Sequence, residues 1–269
     1  MLSTLRQHWP EYLIEAWGLG TFMVAAGGLA TLLFYPASPI YRWVGNGLWR
    51  QGLMGLAMGL TAIALIYSPW GKRSGAHLNP AVTLAFFRLG KLTPWDALFY
   101  GLAQFIGGIA GIRLIATVVG QPFTELPVHY IVPLPGAGGA IAALLAEFLM
   151  AFGLMLGVLV ISNPPRWFPL TGLFAGLLVA LYITFVSPLS GMSINPARSF
   201  ASALPAQVWT AFWIYYLGPP LAMLSAVEVY LRYTRANPRQ LCGKLCPNTD
   251  TPCLCTPCCC AVGAPTLVS

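Results

Sequence analysis

Long, nearly uncharged apolar windows dominate this sequence. A bilayer core about 30 Å thick is crossed by roughly 20 apolar helical residues, and six windows of that kind are present. Only 8% of the residues are charged and 57% are hydrophobic, against about 25% charged in a soluble domain. We therefore expect an all-α integral membrane protein, and a nucleic-acid-binding or disulfide-rich secreted protein is excluded. The windows run from Tyr12 to Tyr35, Leu48 to Tyr67, Trp95 to Val119, Gly139 to Ile161, Phe168 to Val186, and Val208 to Tyr230.

Two further apolar segments are too short to cross a bilayer. Asn79 to Phe87 and Asn195 to Leu204 each hold about ten residues, half of what a span needs. They are predicted to be re-entrant half-helices. Irregular backbone at membrane depth persists only where it is buried in protein or lines water, so the two segments predict a central cavity.

Basic residues predict the orientation of the spans. With the amino terminus in the cytoplasm, the outer side carries only Arg42 and Arg50, and Arg113 and Arg198 lie within the membrane. The other basic residues fall inside: Arg6, Lys72, Arg73, Arg88, Lys91, Arg166, Arg232, Arg235, Arg239 and Lys244. The positive-inside rule then places both termini in the cytoplasm, and the plasma (inner) membrane is the expected location. The first window is predicted to be a retained span, because it is too long for a signal-peptide core.

One pattern occurs twice along the chain. The pattern consists of a span containing a glutamate, a second span, an Asn-Pro-Ala half-helix and a third span. It covers residues of about 11–119 and again about 139–233. Three spans per copy is an odd number, so the copies must be inverted relative to each other and their half-helices meet near the midplane. We expect a channel domain over residues 1–236 and a cytoplasmic, disordered, cysteine-rich tail over 237–269.

The two Asn-Pro-Ala motifs carry the chemistry. Asn79-Pro80-Ala81 and Asn195-Pro196-Ala197 each combine a good N-cap with proline at the first helical position. Two facing helix N-termini place positive dipole ends at one point, and asparagine amides donate to water oxygens. This arrangement is typical of a proton-excluding pore. The extended backbone of residues 75–78 and 191–194 is expected to supply acceptor carbonyls.

The sequence resembles the aquaporin (major intrinsic protein) family over residues 11 to about 233. The resemblance rests on SGAHLNPAVT (74–83), SGMSINPARS (190–199), Glu15, Glu147, Gln104 and YYLGP (215–219). It implies six spans with two half-helices and a homotetramer with one pore per subunit. It also implies that Arg198 belongs to the selectivity filter and that Glu15 and Glu147 hold the re-entrant loops, with proton relay as the alternative role for these carboxylates.

The resemblance also implies the remaining filter positions, two of which are located by counting back from Asn195. They are Met192, Ile183, and either Met58 or Gly59, depending on one inserted residue near Ser68. Strict water pores of the family usually carry histidine where Ile183 stands, so the filter is expected to be less hydrophilic than theirs.

Other positions resemble the water-conducting members. Ser199, Ala203 and Tyr215-Tyr216 stand where glycerol-conducting relatives carry an aspartate, a basic residue and a Pro-Leu pair. We expect a passive channel for water, with small uncharged solutes also passing, and no cofactor. A glycerol, urea or ammonia facilitator is the alternative.

Two other classes of function fit the sequence less well. A secondary transporter needs a titratable or ion-binding group at its site, whereas the half-helix junction offers only amides. An enzyme is disfavoured because His8, His77 and His129 are expected in separate loops and no nucleophile motif is present.

The tail holds every cysteine of the chain. They are Cys242, Cys246, Cys253, Cys255, Cys258, Cys259 and Cys260. Thiolates at this density can bind zinc or copper(I), palmitoylation is a second possibility, and a disordered tail without a dedicated role is the third. Because a cytoplasmic tail is normally reduced, disulfides are not expected.

Overall fold

The fold is built from long helices. The computed structural model describes residues 1–164, 166–235, 242–248, 250, 251 and 254, and this part of the chain holds six helices that are long and apolar enough to span a bilayer. They are α1 (Leu2–Phe34), α3 (Gly47–Tyr67), α6 (Pro94–Val119), α8 (Gly139–Ser162), α9 (Thr171–Phe185) and α12 (Phe212–Thr234). In the fifth of these, the span includes the 3-10 turn before α9 and runs over Phe168–Phe185.

Shorter helices complete the described chain. Two are the half-helices α5 (Pro80–Arg88) and α11 (Pro196–Ala206). The others are α2 (Pro39–Trp43), α4 (Pro69–Ser74), α7 (Gln121–Thr124) and α10 (Ser187–Ser190), with 3-10 turns at His129–Ile131 and Phe168–Leu170. The six expected spans and both half-helices are present.

The first helix begins ten residues earlier than expected, at Leu2 rather than Tyr12. Its added residues carry polar groups that find partners on neighbouring helices. His8 Nδ1 lies 2.7 Å from an Asp96 carboxylate oxygen, and Arg73 Nε donates to Glu11 at 2.9 Å. These contacts extend α1 beyond the apolar window, and His8 therefore lies in a helix rather than in a loop.

Helix packing follows the duplication. In the first repeat α1 packs against α6, and in the second α8 packs against α12. The second spans of the repeats, α3 and α9, pack against each other. Each half-helix crosses to the other repeat, α5 against α12 and α11 against α6. The expected inverted repeat of three spans each is confirmed.

Glycines permit the close contacts between these helix pairs. A Cβ at Gly107 of α6 would lie 2.0 Å from the Ala16 carbonyl oxygen of α1. A Cβ at Gly59 of α3 would lie 2.6 Å from the Gly176 carbonyl oxygen of α9. Small residues of this kind let helix backbones approach closely within a membrane.

Substituting Gly107 tests this packing. Gly107→Ala forces α1 and α6 apart, because the added methyl meets backbone atoms that cannot move aside. We expect a loss of about 1–3 kcal/mol in the free energy of unfolding, measured as thermal or denaturant unfolding in detergent. The matched control is Gly101→Ala on the same helix, where a Cβ meets nothing within 4 Å. Equal stability of the two variants would contradict the account.

Candidate functional site

A cavity of about 420 Å³ lies among the helices of the two repeats. Apolar side chains form much of its wall, among them Phe22 of α1, Leu154 of α8 and Val179 of α9. The polar groups come mainly from the two loops that precede the half-helices, residues 76–79 and 191–195, with further polar side chains from the neighbouring helices. An apolar wall therefore faces a polar strip of backbone.

The backbone of these loops is conformationally unusual. Ala76 and Leu78 have φ values of 52° and 49°, and Met192 and Ile194 have 44° and 48°. Non-glycine residues rarely adopt this left-handed region, since it costs roughly 1–2 kcal/mol per residue. Such a conformation persists only where the surroundings hold it.

Glu15 holds the first loop. One of its carboxylate oxygens accepts from Ser74 Oγ at 2.7 Å and from the His77 backbone N–H at 3.1 Å. The other accepts from the Leu78 N–H at 2.6 Å and from Gln104 Nε2 at 2.8 Å. The carboxylate is fully buried and directs the loop N–H groups away from the cavity.

Glu147 holds the second loop in the same way. It accepts from Ser190 Oγ at 2.7 Å, from the Ser193 N–H at 2.9 Å and from the Ile194 N–H at 2.6 Å. A tyrosine hydroxyl secures each loop as well, Tyr100 donating to the Ser74 carbonyl and Tyr215 to the Ser190 carbonyl, both at 2.7 Å. The two loops thus have matching support.

The asparagines meet at the junction of the half-helices. Asn79 Oδ1 accepts from the Ala81 N–H at 2.9 Å, and Asn195 Oδ1 accepts from the Ala197 N–H at 3.0 Å. The amide nitrogens bond across the junction. Asn79 Nδ2 donates to the Ile194 carbonyl at 2.7 Å, and Asn195 Nδ2 donates to the Leu78 carbonyl at 2.8 Å.

This exchange limits how the asparagine amides, which are expected to donate to water, can meet a permeating molecule. In the structure each amide donates to the opposite loop, and because a primary amide has two donors, one N–H per asparagine is left. Both asparagines line the cavity.

Three of the expected filter side chains lie with Arg198 along the same cavity. They are Met192, Ile183 and Met58. Gly59 lies instead in the contact between α3 and α9, so of the two alternatives Met58 is the residue that reaches the cavity. Arg198 Nη1 is buried and has no hydrogen-bond partner within the described residues.

The lining residues that the sequence did not predict include Met54 and Gln51 of α3. Met54 lies one helical turn from Met58, and Gln51 lies a further turn along. Gln51 Nε2 donates to the Ile183 carbonyl at 2.7 Å and contacts Ser187 Oγ. Their spacing on α3, at three and four residues, is the signal that could have identified them.

Arg113 lies outside this site. Its side chain is exposed on α6, six residues before the helix ends at Val119. That position lets the guanidinium extend towards the membrane interface.

The tail differs from its expected state. Residues 242–248 were expected to be disordered, yet Cys242, Lys244, Leu245 and Cys246 are buried against the channel, because hydrogen bonds and apolar contacts hold them there.

Within the described chain the cysteines do not form a metal site, which was one of the three alternatives for the tail. Cys242 is disulfide-bonded, contrary to expectation, and a disulfide sulfur is not a thiolate ligand. Burial raises the pKa of the Cys246 thiol. Among the residues the structure describes, no group of three metal-ligating side chains occurs. Cys253, Cys255, Cys258, Cys259 and Cys260 lie outside the described residues.

Known proteins are similar to this chain in sequence and in fold. The family model of the major intrinsic protein matches residues 5–230. The chain is 33% identical to aquaporin NIP1-3 of Oryza sativa subsp. japonica, over 80% of this chain and 72% of that protein. It is 37% identical to the probable aquaporin AqpM of Archaeoglobus fulgidus, over 69% of this chain and 77% of that protein.

A solved structure supports the fold. The X-ray structure of the aquaglyceroporin from Plasmodium falciparum superposes with a TM-score of 0.67 at 20% identity, covering 83% of this chain and 95% of that one. The sequence match over residues 5–230 and these relatives agree with the paired half-helices and the cavity between them. The chain therefore belongs to the major intrinsic protein family, the family of the aquaporins, and it is a multi-pass membrane channel rather than an enzyme.

Proposed function

We propose that water is the main permeant of this channel and that small uncharged solutes also pass, while protons and ions are excluded. The observation that carries the proposal is the junction of Asn79 and Asn195, whose amides are fixed by reciprocal bonds beside a cavity with one polar strip. Water moving past that strip exchanges hydrogen bonds with loop carbonyls and amides, and the apolar wall opposite offers none.

Proton exclusion follows from the donors at the junction. The free N–H of each asparagine donates to a passing water oxygen, whose hydrogens then point away from the junction. The N-termini of α5 and α11 add positive dipole ends at the same place. A proton cannot hop along water molecules oriented in this way, and a cation is repelled.

Arg198 supports the same selectivity. A guanidinium stays charged and presents donors in a fixed fork. Its buried Nη1, which has no partner within the described chain, is available to a polar permeant. With Met192, Ile183 and Met58 along the same cavity, we propose a filter with one cationic donor among apolar side chains.

The glycerol, urea or ammonia facilitator remains the second candidate. It is favoured by the apolar character of Ile183, Met58 and Met192, since the carbon skeleton of a small solute is better accommodated there than beside an added polar group. Methionines adapt their shape to irregular ligands. Water and solute permeabilities measured on one preparation decide between the two.

We also propose the membrane setting and the assembly. The excess of basic residues on one side supports cytoplasmic termini, and we propose a plasma (inner) membrane as the location. Large apolar side chains such as Leu56 and Leu60 on α3 and Leu145 and Leu149 on α8 are exposed. Such surfaces fit lipid or neighbouring copies in a homotetramer, which native mass spectrometry of the detergent-solubilised protein tests.

Ile183→His tests the filter assignment. The imidazole adds a polar group and a bulkier ring, so we expect glycerol flux to fall about tenfold relative to water flux, equivalent to about 1.4 kcal/mol in the barrier. Stopped-flow swelling and shrinkage of proteoliposomes measure both fluxes. Ile183→Leu, which keeps the side chain apolar, is the matched control. An unchanged glycerol-to-water ratio in Ile183→His would show that Ile183 is not a filter residue.

Arg198→Val tests the role of the guanidinium. Valine removes the charge and is smaller than arginine. Water flux should be retained, whereas urea flux, glycerol flux and proton leak should each rise about tenfold, which corresponds to a barrier lowered by about 1.4 kcal/mol. A pH-sensitive dye inside the proteoliposomes reports the leak. Arg113→Val is the control, since that arginine is exposed on α6. If Arg198→Val and Arg113→Val give the same solute fluxes and proton leak, Arg198 is not a filter residue.

A further inference from the structure

Residues 242–248, here named the tail segment, lie against the mouth of the cavity on the side where α4 ends. Leu245 lines the cavity itself and is only 7% exposed. Leu245 and Cys246 belong to the same hydrophobic cluster as Ile66, Ala76 and Val158, which line the wall. The tail segment is therefore continuous with the pore lining.

The tail segment occupies polar groups of the first loop. The Gly75 carbonyl, expected to serve as an acceptor for permeating molecules, accepts instead from the Leu245 N–H at 3.0 Å. His77 Nε2 lies 3.0 Å from the Gly243 carbonyl oxygen. A water molecule entering from this side loses two partners that would replace its hydration.

The tail segment also reaches from one repeat to the other. At its start, the Cys242 N–H donates to Asn163 Oδ1, just beyond α8 of the second repeat, at 3.3 Å. Three residues later, Leu245 bonds to Gly75 of the first repeat. Three residues of extended chain span only about 10 Å, so this short stretch bridges the two repeats at the mouth.

A side-chain anchor completes the docking. Lys244 is 3% exposed, and its ammonium donates to the Lys72 carbonyl at 3.0 Å and to Thr251 Oγ1 at 2.9 Å. Asn248 Nδ2 donates to the same Lys72 carbonyl at 3.0 Å. Charge-assisted bonds of this kind are stronger than neutral ones.

From these contacts we propose that the tail segment is a built-in closure of the pore, with Leu245 in the mouth and Gly75 and His77 as its docking groups. Release of the segment opens the channel. This inference rests on the proposed water conduction. The docking is chemically reversible, because the described contacts between the segment and the channel are hydrogen bonds and apolar packing. The disulfide of Cys242 cannot join the segment to the channel, since residues 1–236 hold no cysteine.

Water permeability per reconstituted channel tests the closure in two release variants. A chain that ends at Arg235 lacks the tail segment. Gly243→Val keeps it, but the added side chain meets Lys91 Cβ, since a Cβ at Gly243 would lie 2.9 Å from that atom. If the docked state is favoured about tenfold, both variants should conduct roughly tenfold more water than the full chain.

A chain that ends at Ala261 is the matched control, because it is truncated but keeps the tail segment and all seven cysteines. It should conduct as the full chain does. Equal, non-zero flux in all four proteins would overturn the closure and leave the proposed function standing. Lower flux in the release variants would show that the segment is a supporting part of the pore wall, which also overturns it. No flux in any protein would contradict the proposed function and the closure with it.

Discussion

The channel depends on two buried carboxylates that bind backbone N–H groups. Glu15 and Glu147 are both fully buried, and an ionisable group at membrane depth is costly unless it is paired. Their partners are loop N–H groups that left-handed residues such as Leu78 and Ile194 present. Without an acceptor, each of these N–H groups would be an unsatisfied donor in a medium without water, which costs several kcal/mol. Carboxylate and loop therefore stabilise each other.

The polar side of the pore follows from this pairing. Since the loop N–H groups point to the glutamates, the carbonyls and the asparagine amides remain for the cavity and the junction. The Leu78 and Ile194 carbonyls then fix Asn195 and Asn79 across the junction. The docked tail segment also binds polar groups of the first loop. Its partners at the mouth of the cavity are the Gly75 carbonyl and the His77 side chain.

Local patterns predicted much of this architecture. Hydropathy identified the six spans, and the repeated Asn-Pro-Ala motif required inversion, since three spans per copy leave no other arrangement. Hydropathy did not predict the first ten residues of α1. They are helical because His8 and Glu11 bind side chains of α6 and α4, and such long-range contacts are not visible in the local sequence. The choice between Met58 and Gly59 depended on the rotation of α3 against α9, and the docking of Leu245 depended on a contact between residues 170 positions apart. Long-range packing of this kind leaves no periodic signal.

The two carboxylates hold the pore in shape, and this role can be measured. It is tested most directly by the water permeability per membrane-embedded channel of Glu15→Gln and Glu147→Gln, with Glu228→Gln as control, because Glu228 is partly exposed and pairs with Arg88 outside the pore. A glutamine keeps the size but offers one acceptor oxygen in place of two. Leaving a buried N–H unpaired costs about 1–3 kcal/mol, so we expect flux to fall about tenfold or more in both pore variants and to be unchanged in the control. Full flux in Glu15→Gln and Glu147→Gln would contradict the account.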